Sequence, residues 1–354
     1  MKICAIIMAG GRGERFWPLS RKEKPKQFLS LTGDGKTMIQ LTFNRFNPLV
    51  EPENIYVVTN EMYKDLVSEQ LPEMPSENIL CEPCGKNTAP CIALAAAVVS
   101  KKHDNSVMIV LPSDHMIQNE VLFIETLKKA ILAAEKGENL VTIGIKPTYP
   151  ETGYGYIKFK DSENSAFEVE RFVEKPDLAT AEKYLAGGGY LWNGGIFIWK
   201  TSTIISKIQK YLPEIYDGFL QIKEIVNTAK FNETLKKCFD DFDSVSLDYG
   251  IMEKAENIYT IPGDFGWNDV GGFAALGDIN AKDENGNVAS GNIITVNTKN
   301  SIILGNNKLI AAVGLEDIII VDTGDALLVC HKDSAQDVKR VVEGLSGDNR
   351  KELL

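Results

Sequence analysis

The chain contains 354 residues, of which 44% are hydrophobic and 25% are charged, and its formal net charge at pH 7 is −11. This composition is typical of a globular protein, and the length suffices for one large domain and one small domain. The acidic balance argues against binding to nucleic acids or to anionic membranes, and no apolar run approaches the length of a membrane span. A compact basic pocket for a small anion is compatible with this charge.

The six cysteines do not show the spacing of a disulfide framework. Cys81 and Cys84 form a lone CxxC pair without a second pair, which favours ordinary thiols over a metal or redox site. The short apolar run at the start of the chain leads into a glycine-rich segment without a cleavage pattern, which argues against a signal peptide. We therefore expect a reducing, cytoplasmic compartment.

Short apolar runs alternate with longer helical patterns over the first 146 residues. The pattern predicts strands at residues 3–8, 55–59, 107–111 and 140–145, and helices at residues 38–46, 88–101 and 121–136. Strands that alternate with helices imply right-handed crossovers and an α/β fold with a doubly wound, mostly parallel sheet. Ligands on such sheets bind beyond the carboxyl ends of the strands, which is where the polar motifs of this chain fall.

A glycine-rich segment follows the first predicted strand and contains Gly10, Gly11 and Gly13. Six basic residues lie between positions 12 and 26, namely Arg12, Arg15, Arg21, Lys22, Lys24 and Lys26. Such a loop suits a polyphosphate, because its backbone N–H groups can approach closely and its cations balance the charge. The segment matches neither a Walker loop nor a dinucleotide fingerprint, since Phe16 stands where the third glycine belongs. The glycines alone are equally compatible with an ordinary turn.

The runs GGRGERFWPLS (residues 10–20) and KPKQFL (residues 24–29) resemble the signature of sugar-1-phosphate nucleotidyltransferases. The PKQF ending resembles the mannose-1-phosphate guanylyltransferase branch, also called GDP-mannose pyrophosphorylase. The resemblance implies a Rossmann-like nucleotidyltransferase fold and Mg²⁺-dependent, in-line transfer of GMP from GTP to mannose 1-phosphate, which gives GDP-mannose and pyrophosphate. It also implies that Gly10, Gly11 and Gly13 bind substrate while Arg15 and Lys26 stabilise the leaving pyrophosphate.

Residues 82–90 (EPCGKNTAP) precede an alanine-rich helical pattern and resemble the loop with which the family contacts the base. The resemblance assigns Asn87 and Thr88 to substrate binding. Either residue is equally suited to cap the helix that follows.

Two aspartates resemble the metal ligands of the family. Asp114 follows a predicted strand in the run LPSDH, and Asp269 stands in the run WNDVGG. Mg²⁺ takes one or two carboxylates together with phosphate oxygens, so the resemblance assigns both residues to the metal. His115 is interpreted as a neighbour of the site rather than as a general base, because phosphoryl transfer depends mainly on positioning and charge. Asn268 replaces a serine that is common in the family.

Three further runs resemble the sugar side of the family's site, namely GYGYI, FVEKP and LWNGGIF. They assign Gly155, Glu174, Asn193 and Gly195 to substrate binding and Lys175 to the phosphate of the sugar. Adjacent residues of a strand point to opposite faces, so Glu174 and Lys175 can face one ligand only if the strand ends there, which Pro176 makes plausible. Residues 203–240 predict two helices that cover the sugar side, and Asp248 in a later run is suited to capping a helix.

A composition shift near residue 281 separates the predicted catalytic domain (residues 1–280) from a small domain (residues 281–354). Short β-rich runs at residues 292–296, 301–304, 309–313, 317–321 and 326–330 predict a β-helix-like fold. A final helix is predicted at residues 334–345, with Val338, Val341, Val342 and Leu345 on one stripe.

The resemblance is to the short form of the family without an isomerase domain, so isomerase activity is not expected. A homodimer through the small β domain is a further expectation. Two other hypotheses stay open at this point. One is the same chemistry with another nucleotide and hexose 1-phosphate, and the other is a catalytically silent protein that binds a nucleotide sugar.

Overall fold

The computed structural model describes residues 1–160, 165–347 and 350–354. These residues form two compact units, each assembled from separate chain segments. The first, called here the sheet unit, comprises Met1–Gly10, Phe43–Ser113 and Ile117–Trp267. The second, called the β-helix unit, comprises Gly11–Thr42, Asp114–Met116 and Asn268–Leu354. The predicted boundary at residue 281 divides the chain by composition rather than by contacts, and it stays a prediction.

In chain order the strands are β1 (Lys2–Ala9), β2 (Ile55–Asn60), β3 (Ile79–Glu82), β4 (Ser106–Pro112), β5 (Met116–Ile117), β6 (Leu140–Ile145), β7 (Tyr156–Phe159), β8 (Phe167–Val173), β9 (Tyr190–Lys200), β10 (Ile258–Gly263), β11 (Trp267–Asn268), β12 (Val288–Ser290), β13 (Ile293–Val296), β14 (Ile302–Leu304), β15 (Ile310–Val313), β16 (Ile318–Asp322) and β17 (Leu327–His331). The α-helices are α1 (Met38–Asn44), α2 (Lys64–Gln70), α3 (Thr88–Lys102), α4 (Glu120–Glu135), α5 (Leu178–Gly187), α6 (Thr201–Tyr211), α7 (Pro213–Ile225), α8 (Phe231–Asp241), α9 (Leu276–Ile279) and α10 (Val338–Gly347). Within the described ranges, no helix is long and apolar enough to cross a membrane.

The sheet unit is built on one large sheet with the strand order β3-β2-β1-β4-β9-β6-β10-β8-β7. Strands β3, β2, β1 and β4 are parallel, and so are β6 and β10. Strand β9 runs antiparallel between β4 and β6, and β7 and β8 add an antiparallel edge. The predicted α/β fold is confirmed. The antiparallel strands come from residues 156–200, where the sequence pattern did not resolve strand direction.

Helix α3 lies in the main hydrophobic cluster of the sheet unit. Its alanine-rich face is buried from Ala89 to Ala97, since small side chains allow close packing against the sheet and against α6 and α7. Helix α4 packs on β6, β9 and β10. The parallel strands β1 to β4 thus present their carboxyl ends, at Ala9, Asn60, Glu82 and Pro112, along one edge of the sheet.

The prediction of two helices between residues 203 and 240 is wrong, because the structure has three there: α6, α7 and α8. Pro213 has no backbone N–H and cannot continue α6, but it suits the first turn of a new helix. Leu212 therefore separates α6 from α7. The buried stripes of these helices join the cluster around α3, and their predicted role in covering the sugar stays a prediction.

The β-helix unit stacks short parallel strands in two columns. Val288, Ile302 and Ile319 pair in register across β12, β14 and β16, while β13 pairs with β15 in the second column. Strand β17 closes the first column by pairing antiparallel with β16. The inward residues form a second hydrophobic cluster, which also contains Phe16 and Trp17 of the glycine-rich segment. The predicted β-helix-like domain is confirmed.

The C-terminal helix begins later than the sequence predicts. Residues Lys332–Asp337 form a 3₁₀ helix, and the α-helix starts at Val338. Val338 and Leu345 are buried as predicted, whereas Val341 is 42% exposed. At 3.6 residues per turn Val341 lies about 60° from the line of Val338, at the margin of the apolar stripe. Val341 therefore lies on the predicted stripe but at its exposed margin.

Candidate active site

The glycine-rich loop wraps around Lys26. Gly13 has a φ of 61° and precedes a short 3₁₀ turn at Glu14–Phe16. A Cβ at this position would lie 2.5 Å from Lys26 Cβ and 2.8 Å from the Lys26 backbone nitrogen, so only glycine fits. The Gln27 side-chain amide donates to the carbonyl of Gly11 at 3.0 Å, and the Ser20 hydroxyl donates to the carbonyl of Gly13 at 2.7 Å. The loop and the residues around Lys26 therefore hold each other in place.

Lys26 joins the glycine-rich loop to both predicted metal ligands. The residue is only 5% exposed. Its ammonium group lies 3.0 Å from Asp114 Oδ2 and donates to the backbone carbonyl of Asp269 at 2.7 Å. A buried charge is tolerated when it is paired and hydrogen-bonded, and this one meets both conditions. Residues from three distant motifs are thus brought together within the β-helix unit.

The electrostatics of Asp114 follow from this contact. Burial opposes ionisation, but the neighbouring Lys26 ammonium outweighs it, with a smaller contribution from His115, so that the pKa of Asp114 lies below its ordinary value. The Asp114 side chain retains 32% exposure. Because its pKa is lowered, the Asp114 carboxylate is ionised at neutral pH. Because its side chain is partly exposed, an additional ligand can reach it.

Asp269 is oriented by a constrained turn. The next residue, Val270, is fully buried and has a φ of 50°, a conformation that costs free energy for a β-branched side chain. Its N–H donates to Asn268 Oδ1 at 2.7 Å, so Asn268 caps the turn. A Cβ on Gly271 would lie 3.0 Å from Asp269 Oδ2. The glycine at position 271 therefore leaves room for the Asp269 carboxylate beside this turn.

These groups line an open cleft of about 390 Å³. Its lining residues all belong to the β-helix unit: Arg12, Gly13, Glu14, Arg15, Phe16, Lys26, Asp114, His115, Asp269, Val270, Gly271 and Lys339. Four cations and three acids share this small volume. The acids can hold a divalent cation, and the cations can bind phosphate oxygens.

The donor set fits a metal ion that is shared with a substrate. Within residues 1–160, 165–347 and 350–354, no three His, Cys, Asp or Glu side chains converge as a metal site. Two carboxylates on one cleft are nevertheless the usual protein contribution to Mg²⁺, which completes its shell with phosphate oxygens and water.

In the sheet unit, Glu82 stands at the carboxyl end of β3 beside Gly10. It is 6% exposed, and a Cβ on Gly10 would lie 3.4 Å from its Oε2. Burial raises the pKa of Glu82 to about 8. Among the described residues its Oε1 atom has no hydrogen-bond partner. A buried carboxyl with an unsatisfied oxygen is costly unless a ligand supplies the missing donors.

Asn87 and Thr88 lie at the start of α3. Asn87 has a φ of 71°, and its side-chain oxygen accepts a hydrogen bond from the Thr88 N–H at 2.9 Å. The Thr88 hydroxyl accepts from the Leu247 N–H at 2.8 Å. Both side chains thus serve local structure here, and their contact with a base stays a prediction.

Glu174 and Lys175 face each other because β8 ends at Val173. Lys175 has a φ of 44°, which turns the chain so that its ammonium lies 2.6 Å from Glu174 Oε1. Burial lowers the pKa of Lys175, but the hydrogen-bonded Glu174 carboxylate raises it, and the net effect is a rise. The Glu174 side chain is 7% exposed, and its Oε2 has no partner among the described residues. A Cβ on Gly155 would lie 2.5 Å from that oxygen, so glycine keeps the space beside it open.

Asn193 occupies the centre of a polar network next to this pair. Its amide donates to Asp248 Oδ1 at 3.0 Å, and its oxygen accepts from the Thr142 hydroxyl at 3.1 Å and from the Gly195 N–H at 3.2 Å. Burial raises the pKa of Asp248 to about 6, and the nearby Glu174 carboxylate adds to the rise. Asp248 therefore supports Asn193 directly, whereas the sequence suggested only a capping role.

Two residues in these sites were not singled out from the sequence. Glu82 looks like an ordinary turn residue, and Lys339 looks like an exposed residue of the last helix. No local pattern marks either one, since burial and cleft position arise from contacts with distant segments.

The predicted site residues divide between the two units. Arg15, Lys26, Asp114 and Asp269 share the cleft of the β-helix unit, while Glu174, Lys175 and Asn193 lie in the sheet unit.

The comparison with known families covers both units. Residues 4–286 match the family described as nucleotidyl transferase. Residues 291–345 match a β-helix domain described as mannose-P isomerase/GMP-like. Fold and sequence together make this chain a nucleotidyltransferase.

Individual relatives define the group more closely. The xanthan biosynthesis protein XanB of Xanthomonas campestris pv. campestris is 44% identical over 99% of this chain and 74% of its own length. A mannose-1-phosphate guanylyltransferase of Escherichia coli is 41% identical over 99% of this chain and 75% of its own length. A crystal structure from Thermus thermophilus, described as a mannose-1-phosphate geranyltransferase, has a TM-score of 0.89 at 34% identity and covers 98% of this chain and 100% of its own. The chain belongs to the mannose-1-phosphate guanylyltransferase family, which confirms the resemblance found in its motifs.

Proposed function

We propose that this protein transfers GMP from GTP to mannose 1-phosphate, forming GDP-mannose and releasing pyrophosphate. The observation that carries the proposal is the buried Lys26, which bridges Asp114 and the backbone of Asp269 in a basic cleft. Such an arrangement suits a triphosphate whose charge must be neutralised at defined positions. Family membership supports the same reaction.

The reaction needs no covalent intermediate on the protein. A phosphate oxygen of mannose 1-phosphate attacks the α-phosphorus of GTP, and the bond from that phosphorus to the bridging oxygen breaks. Pyrophosphate leaves with the electron pair. Arg15 and Lys26 offset the charge that develops on the leaving group, and Lys175 orients the attacking phosphate.

Asp114 and Asp269 would hold Mg²⁺ during this reaction. The ion supplies positive charge to the phosphates of both substrates. The lowered pKa of Asp114 favours this role, since its carboxylate is ionised at neutral pH. Lys26 keeps the same carboxylate oriented through the 3.0 Å contact.

Glu82 is suited to recognise guanine. The base offers two adjacent donors, N1–H and the exocyclic N2 amino group. A carboxylate can accept both, so binding of the base favours ionisation of the Glu82 carboxyl, whose pKa is raised by burial in the free protein. The unsatisfied Oε1 of Glu82 and its position beside Gly10 favour such a contact. A site built to bind a donor rejects analogues that lack it, so this residue would select GTP.

Inosine triphosphate tests this role, because it is the analogue of GTP without the N2 amino group. We expect wild-type protein to prefer GTP over inosine triphosphate by about tenfold or more in kcat/KM. Glu82→Gln should lose most of this preference, while the exposed control Glu73→Gln keeps it. Equal preference in wild type and Glu82→Gln would remove Glu82 from base recognition.

The reaction itself is tested by pyrophosphate release from purified protein with Mg²⁺, across four nucleoside triphosphates and several sugar 1-phosphates. We expect release with GTP and mannose 1-phosphate, and none after chelation with EDTA or in Asp269→Ala. Preference for another substrate pair would keep the chemistry and change the substrates. Tight binding of GDP-mannose without turnover of any pair would contradict the enzymatic proposal.

A further inference from the structure

The C-terminal helix contributes a side chain to the phosphate cleft. Lys339 is the second residue of α10 and lines the same cleft as Arg15, Lys26 and Asp114. The helix is anchored beside the cleft, because Val338 and Leu345 are buried in one hydrophobic cluster with Phe16 of the glycine-rich loop. Lys339 is thus held at the cleft by the loop that it faces.

The end of the chain is also tied to this loop. The indole N–H of Trp17 donates to the carbonyl of Leu353 at 2.7 Å, and the tryptophan ring belongs to the same cluster. Packing and hydrogen bonding therefore give α10 a defined position within the β-helix unit. A long side chain on such a support loses less freedom when it binds a ligand than one on a mobile loop.

Lys339 is more exposed than Lys26 and has a weaker ion-pair partner. Its side chain is 55% exposed, and its ammonium lies 3.9 Å from Glu343 Oε1, one turn along the helix. Such exposed pairs contribute little and are easily exchanged for a stronger partner. Lys26, by contrast, already contacts Asp114 and the Asp269 carbonyl. Lys339 can therefore turn to an incoming anion without leaving a buried carboxylate unpaired.

We propose that Lys339 binds the β- and γ-phosphates of the nucleoside triphosphate and, after transfer, the inorganic pyrophosphate. This inference rests on the proposed function and extends the phosphate site to the C-terminal helix. The cleft around Lys339 is formed by residues of the β-helix unit, whereas the sugar-side residues Glu174, Lys175 and Asn193 belong to the sheet unit. Because Lys339 shares that cleft with Arg15 and Lys26, which the proposed function assigns to the leaving group, we assign it to the same phosphates.

Direct binding of inorganic pyrophosphate, measured by calorimetry with Mg²⁺ present, tests the proposal in the full-length protein. Lys339→Gln should weaken pyrophosphate binding about five- to tenfold, the size of one partly solvated contact to a charged group. Lys339→Arg should bind within about twofold of wild type, since it keeps the charge. The matched control is Arg340→Gln, which removes an exposed cation from the next position, outside the cleft, and should leave binding unchanged.

Steady-state kinetics of the reverse reaction provide a second readout. In Lys339→Gln the KM for pyrophosphate should rise by a similar factor, while the KM for GDP-mannose stays the same. Glu343→Gln offers an independent variant that leaves Lys339 in place and removes its ion-pair partner. It should bind pyrophosphate as tightly as wild type or up to about twofold more tightly.

Three results would overturn the proposal: unchanged pyrophosphate binding in Lys339→Gln, equal weakening in Arg340→Gln, or weaker binding in Glu343→Gln. The second result would mean that α10 acts only through its overall charge. A wild-type protein that turns over GTP while Lys339→Gln binds pyrophosphate normally would reject this inference and keep the proposed function. A wild-type protein that neither binds pyrophosphate nor releases it would reject both.

Discussion

The acidic side chains of the candidate site have different surroundings in the two units of this protein. In the β-helix unit, Asp114 is compensated by the Lys26 ammonium at 3.0 Å, and its pKa is lowered. In the sheet unit, Glu82 and Glu174 are buried with an oxygen that has no partner among the described residues. In the β-helix unit the charge of Asp114 is therefore balanced by Lys26 before a ligand binds. In the sheet unit the two glutamates leave hydrogen-bond acceptors that a ligand can satisfy.

This difference suits two separate tasks. Phosphates need charge at defined positions, and preorganised cations provide it without rearrangement when the reaction occurs. A base or a sugar is identified by its N–H and O–H groups, and unsatisfied buried acceptors reject a ligand that lacks them. Under the proposed function, the β-helix unit supplies charge to the leaving group through Arg15 and Lys26, and the sheet unit binds the base and the sugar phosphate.

The largest expected effect concerns Lys26. Lys26→Ala removes the cation that compensates Asp114 and supports the leaving group, so kcat should fall about a hundred- to thousandfold. Mannose 1-phosphate binding, measured by calorimetry, should stay within about twofold of wild type. The control is Lys24→Ala, which removes an exposed lysine from the same segment. A near-normal kcat in Lys26→Ala would contradict the role of Lys26 in stabilising the leaving group.

A smaller effect is expected at Glu174. Glu174→Gln keeps the size of the side chain but weakens its acceptor and its contact with Lys175, so the KM for mannose 1-phosphate should rise roughly ten- to hundredfold. GTP binding should be unaffected. The control is Glu170→Gln, which alters an exposed glutamate that pairs with Lys158 and should leave kcat and both KM values unchanged. A loss confined to GTP affinity would contradict the sugar-side assignment.

The pH dependence of stability tests the state of Glu82. Burial raises its pKa from an ordinary value of 4.5 to about 8. Between these pH values the folded protein binds the proton more strongly than the unfolded chain does, so this residue's contribution to the free energy of unfolding is lost as the pH rises. Glu82→Gln should flatten the decline in stability between pH 5 and about 8.5 in urea unfolding. Identical slopes in wild type and in Glu82→Gln would show that the carboxyl is not buried as described, and Glu73→Gln should match wild type.

The smallest effect is expected at the exposed pair of Arg21 and Asp325. The Arg21 guanidinium contacts both carboxylate oxygens at 3.0 Å, but the Asp325 side chain is 53% exposed. A double-mutant cycle with Arg21→Gln and Asp325→Asn should give a coupling of about 0.5 kcal/mol that fades at high salt. A coupling above about 2 kcal/mol would mean that this pair is a major tie within the β-helix unit.

The local elements were largely predictable. Strand β6 and the start of α3 fall where the sequence pattern placed them, because buried parallel strands and a capped alanine-rich helix have clear local signals. The number of helices between residues 203 and 240 was predicted wrongly, although Pro213 carries a known signal for the start of a new helix. The antiparallel course of β9 was not predictable from its residues, since strand direction depends on which neighbours a strand pairs with.

The site was predictable only in part. Asp114, Asp269 and Lys26 were found through the motifs that carry them, and their roles stay predictions. Glu82 and Lys339 were missed because their significance lies in burial and in a shared cleft. A glutamate in a turn and a lysine on a helix look the same in sequence whether they face water or a ligand.

Most strand and helix segments, the glycine at position 13 and the motifs that identify the family can be found from the sequence alone, because they depend on neighbouring residues and on recurring local chemistry. The folded chain is needed to show that Lys26 donates to a carbonyl 243 positions away, that Glu82 Oε1 has no partner among the described residues, and that Lys339 of α10 lines the cleft. Charge pairing, desolvation and cleft geometry are set by contacts between segments that are remote in the chain, so no local pattern reveals them.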